Sequence, residues 1–370
     1  MATQQSTASL TLEDLTVVDA DSHLDPDLKA DLLPYIPDRN AARNMIETAS
    51  SPDNEIFTHT RASPAFPNDG NYEGERAGYA AKRPEDKLGF MAEFDLEYSI
   101  LTPSGGIATV NHDQTAVAIM RAYNEWLADV WFDVADGLRT TLLVANQRPD
   151  KAAEEIDRWA AEQTIVGVQF PGAGLVPPAG HYSYEPVYEA ADAQDVPIVM
   201  HSHDLQAAQT FPVQRRWAET FTESHAFTFP VEQMWHVISL VCNGVPEQFP
   251  DLEWVFQEPG FEWVPWMMWR LDDHYLQNSQ DLPMLTKPPS EYIRDQFYFT
   301  TQPLGHTTNA QHMGWAMEMA GGGDTLLFST DHPHPDFDPP KEVFTPAKTQ
   351  LDDASLRGLM GETAIEVFGL

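Results

Sequence analysis

The chain of 370 residues reads as an α/β protein, a (β/α)8 TIM barrel with long insertions after strands one and five. Three observations predict this. Eight short apolar runs recur along the chain, most of them bounded by Gly, Pro or polar residues, with helical patterns in most of the gaps. Strands that alternate with helices build parallel βαβ units, and eight units in about 350 residues close into a barrel. Four of the runs also break at their C-terminal ends into Asp, His or Glu, the end at which such barrels keep their active sites. A doubly wound open sheet is the competing architecture. It lacks the Gly-rich phosphate loop that should follow the first strand.

The predicted strands are 16–21, 98–103, 141–146, 166–171, 197–202, 254–258, 297–302 and 325–331. Apolar residues at helical spacing cover 113–134. A second helix, 151–163, follows the Pro149-Asp150 cap. Helices 184–194 and 261–275 flank strands five and six. Two connections exceed ordinary barrel loops. Residues 24–82 are rich in Pro, Asn and Asp; residues 204–235 carry Phe211, Trp217, Phe221, Phe227, Phe229 and Trp235. Both leave strand C-terminal ends, so both read as a lid and part of a substrate pocket. A dimer interface explains the second equally well. Residues 1–15 read as a disordered or loosely attached N-terminus, and 16–370 as one domain.

Composition narrows the function. The formal net charge is -36, with seven Lys and 14 Arg against 57 acidic residues spread along the chain. Such a surface repels nucleic acid and anionic membranes. Dispersed acid with little Lys reads as the surface of a protein from a high-salt cytoplasm, with an ordinary acidic enzyme as the alternative. The single cysteine, Cys242, excludes an intramolecular disulfide and a Cys-based zinc site, and reads as a packed hydrophobe. No apolar run approaches a membrane span and no signal peptide is evident. The expectation is a cytoplasmic enzyme with a small-molecule substrate, no nucleic-acid or membrane partner, and room for a homodimer.

The four polar-ended runs are Val17-Val18-Asp19-Ala20-Asp21-Ser22-His23, Pro197-Ile198-Val199-Met200-His201-Ser202-His203, Trp254-Val255-Phe256-Gln257-Glu258 and Leu326-Leu327-Phe328-Ser329-Thr330-Asp331-His332-Pro333-His334. Residues alternate faces along a strand, so Asp21 and His23 point the same way. With His201 from strand five and Asp331 from strand eight, they make a site of two His and two carboxylates. That set suits a divalent cation and leaves a position for water or a substrate oxygen. His203 shares the face of His201 and reads as a substrate contact or ligand. His334, in a Pro-flanked turn, reads as a substrate contact or proton shuttle, or as a hydrogen-bonded turn residue. Trp263 packs a helix or walls the pocket, His236 is structural, and Arg61, Arg76, Arg215 and Arg216 are candidates for a substrate carboxylate.

The order Asp-x-His after strand one, His after strand five and Asp after strand eight resembles the amidohydrolase superfamily. It resembles in particular the amidohydrolase-2 branch, which includes aminocarboxymuconate-semialdehyde and resorcylate-type decarboxylases. The stretches Phe249-Pro250-Asp251-Leu252-Glu253-Trp254-Val255-Phe256 and Gly260-Phe261-Glu262-Trp263-Val264-Pro265 add to the likeness, which runs from about residue 16 to the C-terminus. The resemblance implies metal ligation by Asp21, His23, His201 and Asp331, with Asp331 also moving a proton. Many relatives carry a catalytic His followed by Gly-Gly after strand six; this chain has Gln257-Glu258-Pro259-Gly260. Glu258 in that place can ligate metal, move a proton or orient a ligand, but it supplies no cation. The expectation drawn from it is a hydrolase, with Asp331 and Glu258 as catalytic residues. One divalent metal, Zn2+ by default with Mn2+, Mg2+ or Fe2+ allowed, would activate water against an ester, lactone or amide of an aromatic or apolar molecule. The alternatives are a non-oxidative decarboxylase of an aromatic or enolic acid and a catalytically weak ligand-binding barrel. Strand four contributes no Lys for a bridging carbamate.

The charge carries its own test. Molar salt shortens the screening length to roughly 3 Å, so self-repulsion should make the melting temperature climb steeply between dilute and molar NaCl. A melting temperature indifferent to salt would remove the high-salt reading.

Overall fold

The computed structural model describes residues 10–24, 26–38, 40–48, 83–103, 107–108, 110–202, 220–334 and 337–370. Eight strands follow one another around a single parallel sheet: β1 Val18–His23, β2 Tyr98–Thr102, β3 Leu138–Leu143, β4 Ile165–Pro171, β5 Ile198–His201, β6 Trp254–Gln257, β7 Phe297–Thr300 and β8 Leu326–Leu327. All seven neighbouring pairs are parallel. The chain returns to β1 through Ala20 N–H to Phe328 O (2.9 Å), Asp331 N–H to Asp21 O (3.0 Å) and His23 N–H to His332 O (2.7 Å). The (β/α)8 barrel expected from the run pattern is therefore the fold.

Helices fill the connections, among them Asp113–Trp131, Pro149–Trp159, Glu185–Ala193 and Val264–Gln277. Each puts an apolar stripe against the sheet; Ile119, Tyr123, Trp126 and Leu127 do so for the first. A separate apolar cluster joins Val18, Ile100, Val199, Val255 and Leu327 to Ala364, Val367 and Phe368 of the C-terminal helix Thr363–Phe368. Ile100, Val199 and Val255 stand two residues before Thr102, His201 and Gln257. Strand alternation thus makes one face apolar at the base and polar at the mouth.

Two strands depart furthest from the expectation. β3 starts at Leu138 and ends at Leu143, because Leu138, Arg139 and Thr140 pair with β2. Val144 and Ala145 are buried without continuing the ladder, and their apolar character shifted the predicted strand towards the C-terminus. Regular pairing in β8 spans only Leu326–Leu327; beyond it the Ser329 and Thr330 N–H groups bond the side chains of Thr301 and Asp19, while Phe328, Asp331 and His332 keep single backbone bonds to β1.

The described part of the first insertion holds a π-helical turn, Leu28–Leu32, a 3-10 turn, Leu33–Tyr35, and the helix Ala41–Thr48. After β5, residues 220–242 close into the helix Phe221–Cys242, which carries buried Phe229 and half-exposed Trp235. Cys242 ends that helix, partly buried. Phe211, Trp217, His203, Arg61, Arg76, Arg215 and Arg216 lie outside the described residues, as do the side chains of Phe221 and Phe227. Residues 10–15 form a 3-10 turn whose Leu12 and Leu15 pack on the core, and Lys348 Nζ donates to Leu10 O. No helix among the described residues is long and apolar enough to cross a membrane.

His236, fully buried on the helix Phe221–Cys242, accepts the Ala179 N–H through Nδ1 at 3.2 Å. Burial holds its imidazole down, to about 3. The unfolded chain takes up this proton near pH 6.5, so the stability tied to neutral His236 is complete above that pH. It is lost towards pH 3 at about 1.4 kcal/mol per unit. Between pH 6.5 and 5 the wild type should lose about 2 kcal/mol more unfolding free energy than His236→Gln. Parallel losses in urea titrations of the two proteins would refute this.

Candidate metal centre

The strand ends bring together Asp21, His23, His201, Glu258, Asp331 and His334, residues spread over more than three hundred positions of sequence. One ligand atom each from Asp21, His23 and His201 lies within 4.8 Å of the other two, and His23, Asp331 and His334 form an overlapping group of the same kind. His23 Nε2 stands 2.8 Å from Asp331 Oδ1 and 3.8 Å from Asp21 Oδ1. His201 Nε2 stands 3.6 Å from Asp21 Oδ2 and 3.1 Å from Glu258 Oε2. The rings of His23 and His201 meet edge to face, centroids 4.7 Å apart.

The β1–β2 register shifts between Asp19 and Ser22, just where the strand delivers Asp21 and His23. Thr102 Oγ–H, from β2, donates to Asp21 Oδ1 at 2.9 Å, and Gln257 Nε2 donates to the same hydroxyl oxygen and to Ala20 O. Gln233 Nε2 ties Met200 O to Gln257 O beneath. Glu258 and Asp331 both take left-handed backbone conformations, with φ of 55° and 63°. Such backbone costs of order 1 kcal/mol or more per residue outside glycine and clusters at functional sites.

Charge is the salient property of this centre. Asp19, Asp21 and Asp331 are fully buried and Glu258 is nearly so. Asp21 Oδ2 and Asp331 Oδ2 are buried and accept no hydrogen bond. Burial, and then the neighbouring charge of Asp331, push the Asp21 carboxyl well up. Burial pulls Asp331 in the same direction, but the charges and hydrogen bonds of His334 and His23 outweigh it and hold Asp331 low. Burial depresses His23 to about 4, which keeps its imidazole neutral and able to ligate. Buried carboxylates persist when they are paired or bound to metal. The donor set of two imidazoles and up to three carboxylates therefore fits a divalent cation.

His334 is partly exposed, its Nδ1 2.7 Å from Asp331 Oδ1 and its ring 4.3 Å from that of His23. Trp263 is pinned by Nε1–H to Pro259 O (2.9 Å) and an edge contact with Phe299. A cleft of about 550 Å³ between the helices Asp113–Trp131 and Pro149–Trp159 touches none of these residues. Its cations are paired: Arg121 with Glu155, Arg148 with Asp150, Lys151 with Glu154 and Arg158 with Glu125.

Three residues of the centre escaped the reading of the strand motifs. Asp19 binds Thr330 through both oxygens, 2.8 Å to N and 2.6 Å to Oγ1. Thr102 orients Asp21, as above. Lys87, from the helix Pro84–Phe94, is fully buried and donates to Ser22 Oγ (2.6 Å) and His332 O (2.9 Å). Burial depresses this ammonium to about 7 against the charges of Asp19, Asp331 and Asp21. The signal for Lys87 is faint: one of few Lys, sharing a helix face with Phe90 and Met91 three and four residues on.

Known proteins agree with this architecture. A family model described as Amidohydrolase matches residues 18–370. Gamma-resorcylate decarboxylase from Polaromonas sp. is 25% identical over 299 residues, 77% of this chain and 86% of that protein. Among solved structures, 5-carboxyvanillate decarboxylase from Novosphingobium aromaticivorans, complexed with manganese and 4-hydroxy-3-methoxy-5-nitrobenzoic acid, superposes with TM-score 0.73 at 17% identity over 100% of both chains. Dihydroxybenzoic acid decarboxylase from Polaromonas sp. JS666, with bound manganese and 2-nitroresorcinol, does so with TM-score 0.66 at 18% identity, covering 96% of this chain and 97% of its own. These names overturn the expectation of a hydrolase. That expectation weighed the missing His at position 258 above the ligand set, yet the same ligands serve water activation and carbon–carbon cleavage alike. Nor is zinc, the expected default, the metal named in these structures. With a family model spanning nearly the whole chain, and a barrel whose strand ends carry the residues of its motifs, the chain belongs to the amidohydrolase family.

Proposed function

We propose that the chain is a metal-dependent carboxy-lyase that removes CO2 from a hydroxy-substituted aromatic acid. The likeness to gamma-resorcylate decarboxylase along 86% of that protein carries this reading. The centre supports it. Asp21, His23 and His201, with Glu258 beside them, would hold one divalent ion, and their carboxylate-rich character favours Mn2+, the ion named in the related structures. A bound ion supplies charge stabilisation to a phenol oxygen next to the leaving carboxylate.

The chain's own residues then manage one proton. Decarboxylation replaces the ring C–CO2 bond with a C–H bond. The ring carbon takes a proton, the C–C bonding pair returns to the ring, and CO2 leaves. Asp331 is the donor to that carbon. His23 and His334 hold it ionised at rest, and His334, 2.7 Å away and partly exposed, would relay it a proton from solvent. That proton passes through Asp331 as the ring carbon becomes basic. Glu258 places a carboxylate oxygen beside the same His201 Nε2 that faces Asp21, so it would serve as a further oxygen ligand of the ion. A buried, largely dry centre strengthens each of these interactions.

Metal-loaded protein should release CO2 from 2,6-dihydroxybenzoate or a related hydroxybenzoate, followed by chromatography of the decarboxylated phenol. A panel of hydroxybenzoates left intact would defeat the proposal. Asp331→Asn should lower turnover by about 10²–10⁴-fold while metal remains bound; full activity in that variant would remove Asp331 from the chemistry. His201→Ala should carry one metal equivalent fewer than wild type, and equal metal content would contradict the ligand set.

A further inference from the structure

Beside the barrel-mouth centre, a second group of side chains converges in the manner of metal ligands. His306 lies in the loop after β7, Asp338 in the segment after β8, and Glu342 in the first turn of the helix Pro340–Ala347. One ligand atom from each lies within 4.8 Å of the other two. His306 Nε2 is 3.4 Å from Asp338 Oδ1 and 3.7 Å from Glu342 Oε2, longer than ordinary hydrogen bonds. Asp338 is 1% exposed. Its Oδ2 accepts the Leu304 N–H at 3.1 Å, whereas the buried Oδ1 accepts no hydrogen bond and is turned towards His306. A buried carboxylate oxygen without a donor is costly, and an ion between these three groups would satisfy it. A cleft of about 460 Å³ lined by Leu304, His306, Lys341 and Glu342 opens beside them, giving solvent access and space for water ligands.

We infer that His306, Asp338 and Glu342 form a second divalent-cation site, sharing no residue with the barrel-mouth centre. One imidazole and two carboxylates suit Zn2+ or Mn2+, since the nitrogen ligand disfavours Ca2+ and Mg2+. The ion ties the loop after β7 to the helix after β8. Asp338 N–H donates to Thr330 O at 3.0 Å, and Thr330 precedes Asp331. The site therefore steadies the strand end that presents Asp331, and its role is structural.

The test is Zn2+ uptake by metal-stripped protein in molar NaCl, measured by calorimetric titration and elemental analysis. Wild type, His201→Ala, His306→Ala and Glu342→Gln are compared. The His306 side chain is 60% exposed, so its removal leaves the core intact. His306→Ala and Glu342→Gln should each bind one equivalent fewer than wild type. His201→Ala should keep the equivalent that depends on His306, with a melting temperature that rises on adding Zn2+. If the barrel-mouth centre held no metal, the His306-dependent equivalent would still be present. Equal uptake by wild type and His306→Ala would overturn the inference, and would identify His306 as an ion-pair partner of two carboxylates.

Discussion

The grip of Asp19 on Thr330 is the interaction on which the barrel and its site depend. β8 has only two residues of regular pairing with β7, so the end of the sheet has little ladder to hold it. Asp19, buried in β1, accepts both the N–H and the hydroxyl of Thr330, which substitutes for ladder bonds across the closing seam. Asp331 is the next residue. Its N–H bonds Asp21 O, so the contact that closes the barrel also fixes the separation of the two central carboxylates. Burial raises the Asp19 carboxyl to about 6 against the pull of the Thr330 hydrogen bonds. Keeping this group at the seam is costly, and the geometry it secures is what the costly burial achieves.

Around that seam the protein concentrates negative charge where water is scarce. Asp19, Asp21, Glu258 and Asp331 surround the imidazoles of His23 and His201, and the side chain of Lys87 is buried beneath them. Coulomb interactions at such low dielectric are several times stronger than in water. The same crowding that opposes an empty centre therefore favours a divalent ion in it. Glu258 and Asp331, two of the carboxylates gathered there, both sit on left-handed backbone. Among the described residues of the centre, the His334 side chain is the most exposed.

The motifs at the strand ends were legible in the sequence because each combines two local signals, a buried run and a polar residue at its end. Asp21, His23, His201, Glu258, Asp331 and His334 all carry both, and the fold brings all six together. His334 was ambiguous between turn and shuttle because spacing alone does not show that its Nδ1 meets Asp331. Lys87 and Thr102 were invisible as site residues. Lys87 comes from a helix outside the strand motifs, and Thr102 is an ordinary strand threonine until Asp21 arrives opposite it. Substitution at one position misled in the other direction. Glu258 in place of a family His suggested hydrolysis, although charge at a single place does not decide how a shared ligand set is used.

Sequence alone determined the barrel, the order of its strands and the chemistry at their ends, since each rests on periodicity, burial and residue type within a few neighbours. Tertiary structure decided the rest. It shortened β8 to two paired residues, shifted the β1–β2 register between Asp19 and Ser22, buried Lys87 below the seam and gathered His306, Asp338 and Glu342 beside the mouth. Each of these is a contact between segments that sequence keeps apart, and its energy depends on distances of a few ångströms that only closure of the barrel defines.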